Sequence, residues 1–525
     1  MRDFHLPGRS PVWAENGVCA TSSPLAAQVA VQMLRDGGNA LDAAMAGAFV
    51  LGITEPPMCG IGGDCFALVS PAGSNDIHAF NGSGRAVAGA NAQTLRDRGE
   101  TTVPLTDPLA VTVPGAVDGF FRMNALWGSK GMDAILAPAI DYFTKGVAMA
   151  PRVTNDYRGL APKMTDAGKK HFLPWGAAPK PGDRLTLPGQ AEVLKRMARD
   201  GAQAFYTGEV AEDIITTLQA LGGPHTLDDL ATHEGHETDP ISGEYRGMEL
   251  WEHPPNGQGA TAILLANIMA QFDIASMDPE GAERMHIEAE ATRLAYDARD
   301  RFIADMDHMT RLDHMLDPST GAKLAALIDP KRATAQIGTT AEAVHKDTVY
   351  ITVVDRDRMS VSLIYSVFHG FGSNICTDKF GIMLQNRGAG FSLTPGHENE
   401  MAPGKRPLHT IIPGMLKQDG KVIMPFGVMG GAYQACGHVH FLSNIHDFGM
   451  DPQAAIDAPR AFPEGETLTI ERGFKPDVVQ QLADMGHKIA DPATAIGGAQ
   501  AIRIHDNGFL EAGSDPRKDG CAIGY

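Results

Sequence analysis

The run Thr348 to Val354 limits more than any other segment how this chain can fold. It alternates, with Val349, Ile351 and Val353 on one side and Thr348, Tyr350, Thr352 and Val354 on the other, which is the period of a strand. The polar cluster Asp355-Arg356-Asp357-Arg358-Met359 turns the chain, and Ser360 to Val367 has the composition of a return strand. Pairing Val354 with Ser360 across this five-residue loop sets Thr348 opposite Ser366. Two hydroxyls then meet at the far end of the hairpin.

A chain of 525 residues suits two or three domains or one large layered fold, and can bury a sizeable core. Its formal charge of -19 repels phosphate backbones and anionic bilayers, so neither nucleic acid nor a membrane is an expected partner. A few arginines in a cleft still suffice to attract a small anion. The first ten residues contain no apolar run, and a cytoplasmic location is expected. The six cysteines lack CxxC spacing and read as buried thiols.

Ser22-Ser23-Pro24 reads as a helix start with a capping hydroxyl, Leu25 to Arg35 as the helix and Gly37-Gly38 as its stop. Asn39 caps a second, Ala-rich helix to about Val50, with Leu41, Met45 and Phe49 on one side. Gly60-Ile61-Gly62-Gly63-Asp64 is a tight turn into the strand Cys65 to Val69. Cys65 occupies the third glycine position of GxGxxG, so no nucleotide loop and no cofactor are expected. Residues 120 to 240 are largely helical. Arg246 to Trp251 reads as a strand, Ala260 to Phe272 and Ala282 to Ala304 as long helices, and 317 to 347 as a weakly patterned polar connection.

No metal is expected from the histidines. His233-Glu234-Gly235-His236 lacks the HExxH spacing, His286 with Glu290 offers a single helical pair, and His438 and His440 point in different directions.

Thr348 to Asp355, Phe371-Gly372-Ser373, Gly381 to Asn386, Lys405-Arg406-Pro407-Leu408, Gly430-Gly431 and Ser514 to Arg517 occur in an order that resembles the gamma-glutamyltranspeptidases. Residues Ala20 to Asp42, the Gly60 to Gly63 turn and Val113-Pro114-Gly115 resemble the same family. The resemblance implies an α+β fold, the four-layer αββα sandwich of N-terminal-nucleophile hydrolases. It also implies a precursor that cuts itself at Asp347-Thr348 into a large subunit, 1–347, and a small subunit, 348–525, together one unit, with a dimer of such heterodimers as the expected assembly. Thr348 becomes the nucleophile, Ser366 matches the family's second hydroxyl, and Gly430 with Gly431 match its oxyanion hole. The chemistry explains the cut: a hydroxyl is a poor nucleophile, whereas a free α-amine with a pKa near ~8 can take its proton.

The substrate end departs from the family. Ser83, in Asn81-Gly82-Ser83-Gly84-Arg85, stands where the family's Asp-Gly-Arg-Glu-Thr carries the arginine for the α-carboxylate. Gly390 replaces the acid that grips the α-amine, His409-Thr410 replace paired serines, and Phe368 replaces an asparagine. Arg387, beside Asn386, and Arg85 remain to fork onto a carboxylate, unless each pairs with a structural acid. The pattern looks more like the oxamate amidohydrolase and cephalosporin-acylase-like branch. It implies hydrolysis of a small carboxylate-bearing amide, with Arg387, Arg85, His409, Thr410 and Asn386 reading the substrate. Genuine turnover of glutathione and an uncleaved ligand-binding scaffold are the competing expectations.

Overall fold

A computed structural model of the chain describes His5, residues 8–334 and residues 348–525. The bond between Asp347 and Thr348 therefore falls at the edge of the described residues. Two seven-stranded sheets lie face to face. One runs, in spatial order, Cys521–Gly524, Val18–Thr21, Val349–Val354, Ser360–Ser366, Asp64–Ser70, His78–Gly82 and His236–Thr238. The other runs Val12–Ala14, Leu510–Ser514, Gly498–Ile504, Lys421–Met429, Gly414–Gln418, Met248–Glu252 and Ile241–Tyr245. Helices Pro24–Arg35 and Ala40–Thr54 cover the first sheet, while Gly259–Met269 and Tyr433–His446 cover the second. This is the α+β, four-layer αββα sandwich. Each sheet takes strands from both sides of Thr348, so the segments before and after it share one core rather than forming two domains.

The opening hairpin has the expected register. Val349 pairs with Tyr365 and Val354 with Ser360, which carries Thr348 opposite Ser366. Alternation then sorts the side chains between layers. Val349, Ile351 and Val353 join the apolar cluster under the Ala40–Thr54 helix, whereas Tyr350 packs between the sheets with Phe66, Ile364, Ile411 and Met429. Thr348, two residues before Tyr350, has the parity of the inter-sheet face. Gly427 permits the close approach of the two sheets, since a Cβ there would collide with the Tyr350 ring.

Several local expectations change. The Ala40–Thr54 helix is four residues longer than expected and buried all round rather than on one side; its alanines let it fit between the sheet and outer helices. Asn39 caps it in a reciprocal box with Asp42. Ser23 makes no capping hydrogen bond, and the neighbouring Ser22 hydroxyl donates to Glu55 instead. The stretch after residue 317 is not all connection: Asp317 caps a helix, Pro318–Ala325, that a polar composition conceals. The arginine placed at the start of a strand, Arg246, lies in the turn before Met248–Glu252, with positive φ. All six cysteines are free thiols, and among the described residues no helix is long and apolar enough to cross a membrane.

Candidate active site

Three neighbouring strands bring Thr348, Ser366 and Asp64 into one row. Ser366 lies across from Asp64 in the sheet, on the side away from Thr348. Thr348 Oγ1 and Ser366 Oγ are 3.4 Å apart, a contact longer than the ~2.7–2.8 Å of a tight hydroxyl pair. Ser366 Oγ also accepts from the Phe368 N–H at 2.8 Å, which fixes the hydroxyl at the end of its strand.

Arg387 reaches this pair from the short helical turn Arg387–Gly390. Its Nη2 stands 3.4 Å from Ser366 Oγ, its Nη1 donates to Thr410 Oγ1 at 3.0 Å, and its guanidinium lies 3.9 Å over the Phe368 ring. The side chain is fully buried, its Nε has no partner, and among the described residues no carboxylate lies within ion-pair distance. Burial works against its charge, and the field of Asp64 supports it.

Asp64 is the acid behind this arginine. One of its oxygens accepts from the Gly84 N–H, the Gly115 N–H and Gln385 Nε2, each at 3.0–3.1 Å, and the other faces His409 Nε2 at 3.3 Å. Burial raises its pKa to about 6, and Arg387 and the three donors oppose that rise. His409 Nδ1 accepts from the Ile411 N–H, so Nε2 carries the proton. Burial, then Arg387, hold its imidazole well below the usual range, and it stays neutral.

Gln258 extends the set toward the second sheet. Its Nε2 donates to the carbonyls of Thr410 at 2.7 Å and Gly431 at 3.0 Å. Gly430 and Gly431 connect the strand Lys421–Met429 to the helix Tyr433–His446, both with φ in the left-handed half that glycine tolerates. Neither amide donates to an acceptor among the described residues. Two free N–H groups at the start of a fourteen-residue helix can stabilise developing negative charge.

Of the residues singled out in the sequence, Thr348, Ser366, Arg387 and Thr410 thus form one contact set, joined by Gln258 to Gly431, with His409 held behind it on Asp64. Asn386 is elsewhere engaged: its carbonyl oxygen accepts from the His369 backbone and ring, and its amide donates to the Leu105 carbonyl. Arg85 follows its structural alternative, holding Asp305 at 3.3 Å and the Gly404 carbonyl at 2.8 Å, and touches none of the set. Ser83 is buried and bonded to Asn81, which Asn256 holds in turn. Gly390 has no room for a side chain, because a Cβ there would collide with the Leu408 carbonyl oxygen. Asp64 and Gln258 carry roles that the sequence did not assign; Asp64 starts the strand after the Gly60 to Gly63 turn and Gln258 lies between two glycines, and only the sheet order shows what they face.

A hydroxyl pair, amide donors linked to it through Gln258, and an arginine with no ion-paired acid among the described residues suit attack on a carbonyl. The family model described as gamma-glutamyltranspeptidase matches residues 26–525. A glutathione hydrolase-like proenzyme of Bacillus subtilis is 34% identical over 95% of this chain and 97% of its own length. The oxamate amidohydrolase proenzyme of Klebsiella pneumoniae is 33% identical over 97% of this chain and 98% of its own. The crystal structure of cephalosporin acylase from Bacillus halodurans superposes with a TM-score of 0.93 at 36% identity, covering 100% of this chain and 99% of that one. With the matched motifs lying on both sheets and around Thr348, the chain belongs to the gamma-glutamyltranspeptidase family.

Proposed function

We propose that this chain is a self-processing amidohydrolase that cleaves itself before Thr348 and then hydrolyses a small amide whose acyl portion carries a carboxylate and no α-amine. The observation that carries the substrate reading is Arg387: a buried guanidinium in contact with the Ser366 hydroxyl and, among the described residues, with no acid within ion-pair distance. A substrate carboxylate supplies that missing partner and accepts a charge-assisted bond. Arg85, engaged with Asp305, is not given this role.

After the cut, the Thr348 α-amine removes the Oγ proton as Oγ attacks the amide carbonyl. Gly430 and Gly431 N–H donate to the oxyanion of the tetrahedral intermediate. Collapse breaks the C–N bond, and the leaving amine takes the proton held on the α-ammonium, leaving an ester on Thr348. Water, deprotonated by the same amine, attacks the ester, and the alkoxide of Thr348 recovers a proton as the acid leaves. Ser366 orients Oγ throughout.

Relatives named for oxamate, glutathione and acyl substrates support amide hydrolysis as the class. The filled position at Gly390 favours the amine-free members of that range. A panel of oxamate, a glutaryl amide and a gamma-glutamyl anilide tests the reading. Saturable turnover of the first two and slow turnover of the anilide are expected; turnover of the anilide alone would overturn it.

A further inference from the structure

Outside the Thr348 contact set, two histidines and a glutamate meet in the interior. His286 and Glu290 are one turn apart on the helix Ala282–Phe302, and His487 arrives from the turn before Lys488–Ala490. All three are buried, and one ligand atom from each lies within 4.8 Å of the other two. His286 Nδ1 is 2.8 Å from His487 Nε2, while His286 Nε2 donates to the Asp329 carbonyl at 2.8 Å. Glu290 Oε2 accepts from the Thr334 N–H at 3.0 Å, which leaves Oε1 buried and accepting no hydrogen bond among the described residues. His487 Nδ1 is likewise buried and, among the described residues, without a hydrogen-bond partner.

These features are those of a site built for a cation. A ligating imidazole typically donates its other N–H to a carbonyl, as His286 does, and a ligating carboxylate keeps one oxygen hydrogen-bonded and offers the other, as Glu290 does. Arg293 Nη1 lies 3.7 Å from Glu290 Oε1. Tetrahedral zinc at ~2.0–2.1 Å spaces its ligands about 3.3 Å apart, so the three donors need shift by little more than an ångström. Two imidazoles and a carboxylate select zinc or a similar first-row ion over calcium or magnesium.

We infer that His286, Glu290 and His487 form a zinc site that ties the helix Ala282–Phe302 to the segment after Thr348. Two ligands precede Thr348 and one follows it, so the ion bridges the regions on either side of the cut. Backbone contacts nearby run the same way: the Ala333 N–H donates to the Met485 carbonyl at 2.8 Å. The site shares no residue with the Thr348 set and its role is structural.

The test uses the purified full chain, stripped by chelator and titrated with zinc chloride. One zinc per chain, a raised Tm, and affinity at least about tenfold weaker in both His487→Ala and Glu290→Gln are expected. Cobalt(II) in the wild-type chain should give the intense visible bands of a four-coordinate ion, a readout that needs no variant. Absence of saturable zinc uptake, uptake unchanged in both variants, or the weak spectrum of hydrated cobalt would overturn the inference. The Thr348→Ala chain should bind zinc equally well, which separates this outcome from that of the proposed hydrolysis.

Discussion

Arg387 Nη2 stands 3.4 Å from Ser366 Oγ, so a buried cation with no ion-paired acid among the described residues touches the hydroxyl that meets Thr348. Under the proposed function, recognition and attack are coupled through one serine, since an anion docked on Arg387 would also settle the hydroxyl pair.

Replacing Arg387 with methionine should lower kcat/KM for a carboxylate-bearing amide by about 10–100-fold, the worth of one charge-assisted hydrogen bond of ~1.5–3 kcal/mol. The neutral analogue of the same amide should change much less. Lysine should rescue only in part, since it cannot satisfy Thr410 and a carboxylate in one plane. Steady-state kinetics on the matched pair of amides checks this, and an equal loss on both would assign Arg387 to the fold.

Installing an acid at position 390 should not create a gamma-glutamyl enzyme. The Cβ of Gly390→Asp meets the Leu408 carbonyl, and the strain should cost about 1–3 kcal/mol of stability with no gain in anilide turnover. Thermal unfolding and the anilide assay read both halves of the prediction.

Asp64 makes stability depend on pH in a definite direction. Its pKa is about 6 in the fold against an ordinary 3.8, so between about pH 4 and 6 the folded chain holds more protons than the unfolded one. Stability from this group is therefore greatest at or below pH 4 and declines as pH rises through 6, by up to about 3 kcal/mol. Tm measured from pH 4 to 7 should show this component in the wild type and lack it in Asp64→Asn.

The hairpin was legible because period-two alternation and a short loop leave one register, and the register alone joins Thr348 to Ser366. Arg387, Thr410 and the glycine pair came from the family resemblance, and their geometry bears on how they reach that hairpin. Asp64 and Gln258 were hidden for a topological reason: each faces the site only because strands far apart in sequence become neighbours. His487 was hidden in the same way, about two hundred residues from the helix carrying His286 and Glu290. Arg85 shows the converse, a motif arginine whose partner, Asp305, no local pattern announces.

Thr348→Ala should abolish processing and lower amide turnover at least about 10^3-fold, while Thr348→Ser should retain part of both, since serine keeps the hydroxyl and the amine. Gly430→Ala should lower kcat by about 10^2–10^3-fold with KM little changed, because a Cβ at this positive φ meets Gly497 and moves the retained N–H off the oxyanion.

The most direct measurement is N-terminal sequencing of the smaller fragment, with intact masses of both fragments, from purified protein incubated until its mass pattern is constant. The account predicts two pieces, the smaller beginning Thr348-Val349-Tyr350. A single intact chain, or a cut at any other bond, would contradict it.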